Sequence, residues 1–129
     1  MTNNDERPYP WGAAKVVTEG KEYRVKRISI KPGHRQSYQE HEHRAEAWLI
    51  VSGQGKITID DKEDDVTTAA VVMIGKGMKH RIENTSKEED LVFIETQFGL
   101  YLGEDDITRH DDDYGRHLDN WNNIGVEQL

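Results

Sequence analysis

The sequence has no cysteine and no cluster of basic residues. Without cysteine, disulfide frameworks, thiol catalysis and thiolate-bound zinc or iron–sulfur centres are excluded, so histidine, carboxylate or amide groups must hold any metal ion. The 17 basic residues are outnumbered by 25 acidic ones, which gives a net charge of −8. We therefore expect no nucleic-acid partner and no anionic membrane surface as a partner. No window approaches the roughly 18 apolar residues of a membrane span, and the polar start lacks an apolar signal region, so a cytoplasmic protein is expected.

Helical periodicity is also missing between residues 11 and 100, where the apolar residues form short runs close to period two. In the run LVFIETQ, Leu91, Phe93, Glu95 and Gln97 are predicted to share one face of a strand. Turn-forming segments separate the runs, and DDKEDD at 60–65 is interpreted as one of these turns. A chain of 129 residues with many short strands predicts one all-β domain, a sandwich or a barrel.

Four metal-ligating side chains occur in two segments of this pattern. Gln39 and His41 are two residues apart, and Glu46 begins the run that follows. His80 follows a glycine-rich turn and opens a later strand. If these strands are neighbours, an amide oxygen, two imidazoles and a carboxylate converge. Such a set suits one borderline divalent ion, zinc first, with manganese, iron, nickel or cobalt as alternatives.

The spacing around these residues resembles the two cupin motifs, G-x5-H-x-H-x3–4-E-x6-G and P-x-G-x2-H-x3-N. More narrowly, YRVKRISIKPGHRQSYQEHEHRAEAW, GKGMKHRIEN and LYLGEDDITR look like the isomerase domain of type II mannose-6-phosphate isomerases. The resemblance covers roughly residues 7–116. In that family the domain usually follows a mannose-1-phosphate guanylyltransferase, which these 129 residues cannot hold, so no synthesis of GDP-mannose is expected from them.

The resemblance implies a single cupin-type β-barrel, also called a double-stranded β-helix or jelly roll, with a short C-terminal extension. We expect an N-terminal arm at residues 1–10, the barrel at 11–116 and a C-terminal tail at 117–129, where Leu118, Trp121 and Ile124 favour one or two helical turns. It also implies a sugar-phosphate substrate and places the metal ligands at Gln39, His41, Glu46 and His80. Two positions depart from the family pattern, because Ala47 replaces a usual histidine and Gly75 a usual proline.

Further residues are candidates for binding or catalysis. Glu95 lies on an apolar strand, where a carboxylate is costly unless it is paired, so it is our first choice of catalytic base. His43 is the second choice. Arg44 lies two residues before Glu46, where we expect it either to bind a phosphate or polarise a hydroxyl, or to form a salt bridge with a neighbouring carboxylate. Further expected phosphate ligands are Lys56, Lys79, Arg109 and Arg116.

Three functions remain open from the sequence. The first is metal-dependent aldose–ketose isomerisation, interconverting mannose 6-phosphate and fructose 6-phosphate. The second is a non-catalytic metal-binding cupin that binds a sugar phosphate or nucleotide sugar, which the alanine at position 47 favours. The third is a metal-dependent oxygenase, because His41, Glu46 and His80 form the two-histidine, one-carboxylate set used by iron(II). A homodimer is expected because small cupins have exposed sheet edges.

Overall fold

The computed structural model describes residues 6–118, and almost all of its regular structure is β-strand. The strands are β1 (Arg7–Tyr9), β2 (Gly12–Glu19), β3 (Tyr23–Ile30), β4 (Tyr38–Glu40), β5 (Arg44–Ser52), β6 (Gln54–Ile59), β7 (Lys62–Thr67), β8 (Val71–Ile74), β9 (His80–Asn84), β10 (Leu91–Gly99) and β11 (Thr108–Asp111). A single helical turn covers residues 116–118. Trp121 and Ile124, which are expected to belong to one or two helical turns, lie outside the described residues.

The strands form two antiparallel sheets. The order is β1-β2-β3-β10-β5-β8 in the six-stranded sheet and β11-β4-β9-β6-β7 in the five-stranded sheet. Strand β10 lies between β3 and β5, its neighbours from distant parts of the sequence. The prediction of an all-β cupin-type barrel is confirmed.

Alternation along the strands builds the core between the sheets. In β10, residues 91, 93, 95 and 97 are buried and the intervening residues are partly exposed, so the predicted face of LVFIETQ is confirmed. Trp48 stacks on Phe93 with ring centroids 4.6 Å apart. The largest fully buried apolar side chains are Trp48, Phe93, Ile30, Ile50, Ile82 and Leu91.

One interpretation of the sequence is wrong: the acidic run at 60–65 is not a single turn. Only Asp60 and Asp61 form the turn, both with positive φ (47° and 70°), and β7 begins at Lys62. Positive φ at both central residues is what a two-residue hairpin requires, and aspartate tolerates it. The remaining charges lie on an exposed edge strand, where they oppose pairing with another chain.

The two ends of the described chain pack against the barrel. Residues 7–9, within the segment expected as an arm, pair with β2 as strand β1. Trp11 is buried and stacks on Tyr9. Near the other end, Asp112 accepts three hydrogen bonds from Arg116, two from its guanidinium and one from its backbone. Among residues 6–118, no helix has the length and apolar character needed to cross a membrane.

Candidate metal centre and its cavity

Three of the four predicted ligands meet inside the barrel. His41 follows β4, Glu46 lies in β5, and His80 is the first residue of β9. One ligand atom from each lies within 4.8 Å of the others, and all three residues are buried. His41 Nε2 is 3.4 Å from Glu46 Oε2. Two ligands held tetrahedrally at about 2.1 Å from zinc are about 3.4 Å apart, so this spacing fits a shared metal ion.

Gln39 lies beside this group. It is directly opposite His80 in the pairing of β4 with β9, and residues opposite each other in an antiparallel pair face the same side. Its amide nitrogen donates a hydrogen bond to the Ser37 hydroxyl at 3.0 Å. The amide oxygen, the atom that binds metal ions, is thus the end left for a cation.

Backbone carbonyl groups hold both histidines in the form that ligates metals. His41 Nδ1 is 2.6 Å from the carbonyl oxygen of Asp106, and His80 Nδ1 is 2.9 Å from that of Met78. A carbonyl oxygen only accepts, so each Nδ1 carries the proton and each Nε2 carries the lone pair that a metal ion would use. Burial lowers the pKa of both histidines, which favours the neutral imidazole that a metal needs.

Arg44 lies directly on two of these ligands. Its Nε donates to Glu46 Oε2 at 2.8 Å, and its Nη2 is 3.2 Å from His41 Nε2. An arginine only donates, so His41 Nε2 is the acceptor, in agreement with the tautomer above. A divalent ion bound at these atoms would have to displace both hydrogen bonds.

Two buried carboxyl groups adjoin at the centre. Burial raises the pKa of Glu95 well above its usual value, and so do the charge of Glu46 and the hydrogen bond between the two groups. Burial opposes ionisation of Glu46 as well, but the hydrogen bond from Glu95 and the positive charge of Arg44 lower its pKa to about 2. Glu46 is therefore the more acidic member of the pair, and Glu95 is the one that holds its proton more tightly.

A cavity of about 90 Å³ opens beside the ligands. Its lining includes six of the residues predicted for the site: Gln39, His41, Arg44, Glu95, Arg109 and Arg116. Of these, Arg116 is bound to Asp112. Four cationic side chains, two carboxyl groups and neutral amides therefore share a small space, and the excess of cations suits a polar anionic ligand.

Other predicted binding residues are placed elsewhere. Lys56 is 3.9 Å from Glu63 and partly exposed, and it alternates with the buried Gly55 and Ile57, so it faces outward. Lys79 is exposed, and its backbone nitrogen donates to Asp60. Their proposed role in binding phosphate remains a prediction without a contact to the cavity.

His43 follows the end of β4 and is not among the residues that line the cavity. Strand β4 ends at Glu40, and the chain bends because the Asp106 carboxylate accepts the backbone N–H groups of Glu42 and His43. His43 Nδ1 lies 3.1 Å from the same carboxylate, and the side chain is 56% exposed. As a second choice of catalytic base, it stays a prediction.

Sequence reasoning missed several residues of the cavity wall. Lys26, Gln97 and Glu104 line it, with Lys26 Nζ 3.1 Å from Glu104 Oε2. Lys26 lies on the same inward face of β3 as Ile28 and Ile30. A charged residue on an apolar face is the signal that identifies Glu95, and the same signal identifies Lys26. The buried Trp48 also reaches the ligand set, where its Nε1 donates to Glu46 Oε1 at 2.9 Å.

Solved structures with a similar fold are cupins and related double-stranded β-helix proteins. Oxalate decarboxylase from Bacillus subtilis at pH 4.6 matches with a TM-score of 0.74 and 20% identity over 84% of this chain and 30% of that one. The cupin domain of Schizosaccharomyces pombe Cnp3 matches with a TM-score of 0.65 and 14% identity over 67% of this chain and 64% of that one. At these identities the likeness shows the fold alone.

Proteins with higher sequence similarity are much longer than this chain. A mannose-1-phosphate guanylyltransferase of Salmonella montevideo is 48% identical over 108 residues, which are 84% of this chain and 23% of that protein. The alginate biosynthesis protein AlgA of Pseudomonas aeruginosa is 46% identical over 114 residues, 88% of this chain and 24% of that protein. The chain thus spans about a quarter of the length of these relatives.

The family comparison agrees with the motifs and with the fold. The model of the family described as mannose-6-phosphate isomerase C-terminal matches residues 2–112. That range includes all four predicted ligands, the Glu46–Glu95 pair and the cavity wall through Arg109. The chain belongs to the mannose-6-phosphate isomerase C-terminal family of cupins.

Proposed function

We propose that the protein is a metal-dependent isomerase of sugar phosphates that interconverts mannose 6-phosphate and fructose 6-phosphate. The observation that carries this proposal is the buried acid Glu95, which lines a cationic cavity beside a His–Glu–His ligand set. Isomerisation of an aldose needs a group that moves a proton and an anchor for the phosphate. Both kinds of group line this one space.

The proposed metal site consists of His41, Glu46 and His80, with Gln39 as the fourth ligand. Zinc is our first choice, because two imidazoles, a carboxylate and an amide suit a borderline ion. When bound, the ion would act as a Lewis acid that stabilises negative charge on a substrate oxygen.

Glu95 is proposed to transfer the proton. Its carboxylate form takes the proton from C2 of the open-chain aldose, and the electrons of that C–H bond form the C1–C2 double bond while the C1 oxygen becomes negative. Returning the proton to C1 gives the ketose, as the C2 hydroxyl loses its proton to become the carbonyl group and the C1 oxygen gains a proton to become a hydroxyl. Burial makes Glu95 a stronger base than an exposed carboxylate once it is ionised.

Arg109 and Arg44 are proposed to bind the phosphate. Both line the cavity, and a guanidinium presents paired N–H donors that match the oxygens of a phosphate. Arg44 donates to Glu46 in the structure, so binding a phosphate or a metal ion would require it to change partners.

One observation favours a second candidate function, binding of a sugar phosphate or nucleotide sugar without turnover. The guanidinium of Arg44 already lies on His41 Nε2 and Glu46 Oε2, where its charge offsets the buried carboxylate without a metal ion. In that case the cavity would bind the ligand and the ligand set would remain hydrogen-bonded to Arg44.

A coupled assay of fructose 6-phosphate conversion on zinc-loaded protein tests the proposal. We expect turnover by the wild type and losses of at least about 100-fold in kcat for Glu95→Gln, the scale of a lost general base, and for His80→Ala. His110→Ala is the matched control, since His110 is a partly exposed histidine paired with Glu40 outside the cavity. Turnover by the wild type no higher than that of His80→Ala would contradict the proposal of an isomerase. Stabilisation by mannose 6-phosphate without product would support the second candidate.

Elemental analysis tests the metal site directly. We expect about one equivalent of metal per wild-type chain and less in Gln39→Ala and His80→Ala, while His110→Ala keeps the wild-type content. Equal metal content in all four proteins would contradict the proposed ligands.

A further inference from the structure

One wall of the cavity is polar and consists of Lys26, Glu95 and Gln97. We call these three residues the polar wall. Glu95 and Gln97 are consecutive inward residues of β10, and Lys26 is directly opposite Glu95 on β3. All three line the cavity and are buried. Two polar groups that the proposed reaction has not used therefore flank the proposed base.

Gln97 carries an unpaired acceptor in this wall. Its side chain is 1% exposed, and its Oε1 accepts no hydrogen bond from any residue that the structure describes. The amide nitrogen donates to Glu95 Oε1 at 3.3 Å. A buried polar atom without a partner loses its hydrogen bonds to water and gains none in return, so such atoms are rare in native proteins and need an explanation.

Lys26 supplies donors at the same wall. Its ammonium has three N–H groups, and Glu104 Oε2 accepts one of them at 3.1 Å. Burial of a lysine is unfavourable unless its charge is used. Glu104 lies at the mouth of the cavity with its side chain 53% exposed, so Lys26 connects the mouth to the buried base.

A donor and an acceptor on the two sides of Glu95 match the chemistry of a hydroxyl group, which both donates and accepts. We propose that Lys26 and Gln97 form a hydroxyl-binding subsite for the non-reacting 3- and 4-hydroxyl groups of the sugar phosphate. Lys26 donates to a substrate hydroxyl, and Gln97 Oε1 accepts from one. The terminal torsion of glutamine is soft, so the amide can turn towards the ligand while β10 stays in place.

This inference rests on the proposed function and adds the reason for substrate orientation. The reacting carbons C1 and C2 are followed directly in the sugar chain by C3 and C4. Binding of the 3- and 4-hydroxyl groups to the polar wall would therefore position C1 and C2 next to Glu95. A site that hydrogen-bonds a hydroxyl also discriminates strongly against an analogue that lacks it. The polar wall would therefore select the sugar by its hydroxyl groups as well as position it.

Calorimetric titration of zinc-loaded protein with mannose 6-phosphate and with its 3-deoxy and 4-deoxy analogues tests the subsite. For the wild type we expect at least one deoxy analogue to bind about tenfold more weakly than the parent sugar, the worth of about one hydrogen bond. Gln97→Met keeps the shape of the side chain and removes its polar atoms. We expect it to bind the parent sugar about tenfold more weakly and to lose that discrimination.

Lys26→Met is the second variant and should weaken binding of the parent sugar by at least about tenfold, because its hydrogen bonds are charge-assisted. Gln54→Met and Lys62→Met are matched controls, since both residues are exposed on the five-stranded sheet. Metal content and the thermal unfolding midpoint are measured for every variant. A purely structural role of Gln97 predicts no weaker binding, and a higher midpoint once the unpaired oxygen is removed.

The outcomes separate this subsite from the isomerase proposal. Wild-type affinity and discrimination in Gln97→Met and Lys26→Met would overturn the subsite whatever the enzyme assay shows. Binding with the expected discrimination but no turnover would support the subsite and overturn the isomerase. No binding of mannose 6-phosphate by the zinc-loaded wild type would overturn both.

Discussion

Trp48 shows how one side chain serves both the core and the metal centre. Its ring stacks on Phe93, and its Nε1 donates to Glu46 Oε1. Glu46 Oε2 accepts from Arg44, so both oxygens of this buried carboxylate have a partner. Such partners hold a ligand in orientation before any ion binds.

We expect Trp48→Phe to weaken zinc binding by about tenfold, because loss of an outer partner typically costs ten- to a hundredfold in metal affinity. The aromatic stack is kept, while Glu46 Oε1 loses its donor. Competition with a chromophoric chelator measures the affinity. Trp11→Phe is the control, because Trp11 is also buried and stacks on Tyr9, whereas the indole that donates to Glu46 is that of Trp48. Unchanged zinc affinity in Trp48→Phe would show that the indole serves packing alone.

Strand β9 is tied to the barrel at both ends. It begins with the proposed ligand His80 and ends at Asn84, the last position of the second cupin-like motif. Asn84 is fully buried. Its amide nitrogen donates to the carbonyl oxygens of Ile30 and Glu89, and its oxygen accepts from the Ser86 backbone. The motif asparagine thus joins β9 to β3 and closes the loop before β10.

Asn84→Ala is expected to lower the free energy of unfolding by about 3 kcal/mol, since three hydrogen bonds of about 1 kcal/mol are lost. Urea unfolding measures the change. Thr85→Ala, an exposed neighbour, should change stability by less than about 0.5 kcal/mol. Because Asn84 does not contact the ligand set in the structure, zinc content should remain near one equivalent. A loss of zinc from a variant that stays folded would contradict this structural role.

The segment after β11 is held by a buried ion pair. Asp112 accepts from Arg116 Nε at 2.7 Å and from Nη2 at 3.0 Å, and its side chain is fully buried. Burial opposes ionisation of Asp112, but the hydrogen bonds from Arg116 outweigh it and lower the pKa. The folded state therefore binds this proton less tightly than the unfolded state does. The resulting stability is present above about pH 4, the usual pKa of aspartate.

That stability should be lost as the pH falls through the lowered pKa of Asp112. We expect Asp112→Asn to lower the free energy of unfolding by about 1–3 kcal/mol at pH 7, with the difference from wild type shrinking below about pH 4. Asp113→Asn is a matched control, because its pair with Arg35 is partly exposed and is worth under about 1 kcal/mol. A constant difference between pH 7 and pH 3 would exclude the titration of Asp112 as the cause.

The whole molecule is a barrel with charged or short strands at its edges. Strands β1 and β8, at the edges of the larger sheet, have three and four residues, and β7 carries acidic side chains. The homodimer expected from the sequence remains a prediction. We expect elution on size exclusion at roughly 30 kDa, twice the chain mass of 14.9 kDa. Elution at the mass of one chain across micromolar concentrations would contradict it.

Local sequence patterns predict much of the fold and of the candidate site. The alternation in β10 predicts its inward face, and the two cupin-like spacings predict that His41, Glu46 and His80 converge, which they do. Glu95 was identified because a carboxylate on an apolar face must find a partner, and it lies against Glu46. Side-chain direction in a strand follows from sequence position alone, so these predictions needed no knowledge of distant contacts.

The remaining features depend on contacts between distant parts of the chain. Asp106 bends the segment after β4 from about 65 positions away in sequence, which turns His43 outward, and Glu104 reaches Lys26 across 78 positions. Neither spacing nor composition encodes such meetings, because they arise when the sheets close and each buried charge takes the partner that packing brings within reach. Residue type and alternation set which side chains enter the barrel, and closure of the barrel sets which of them meet.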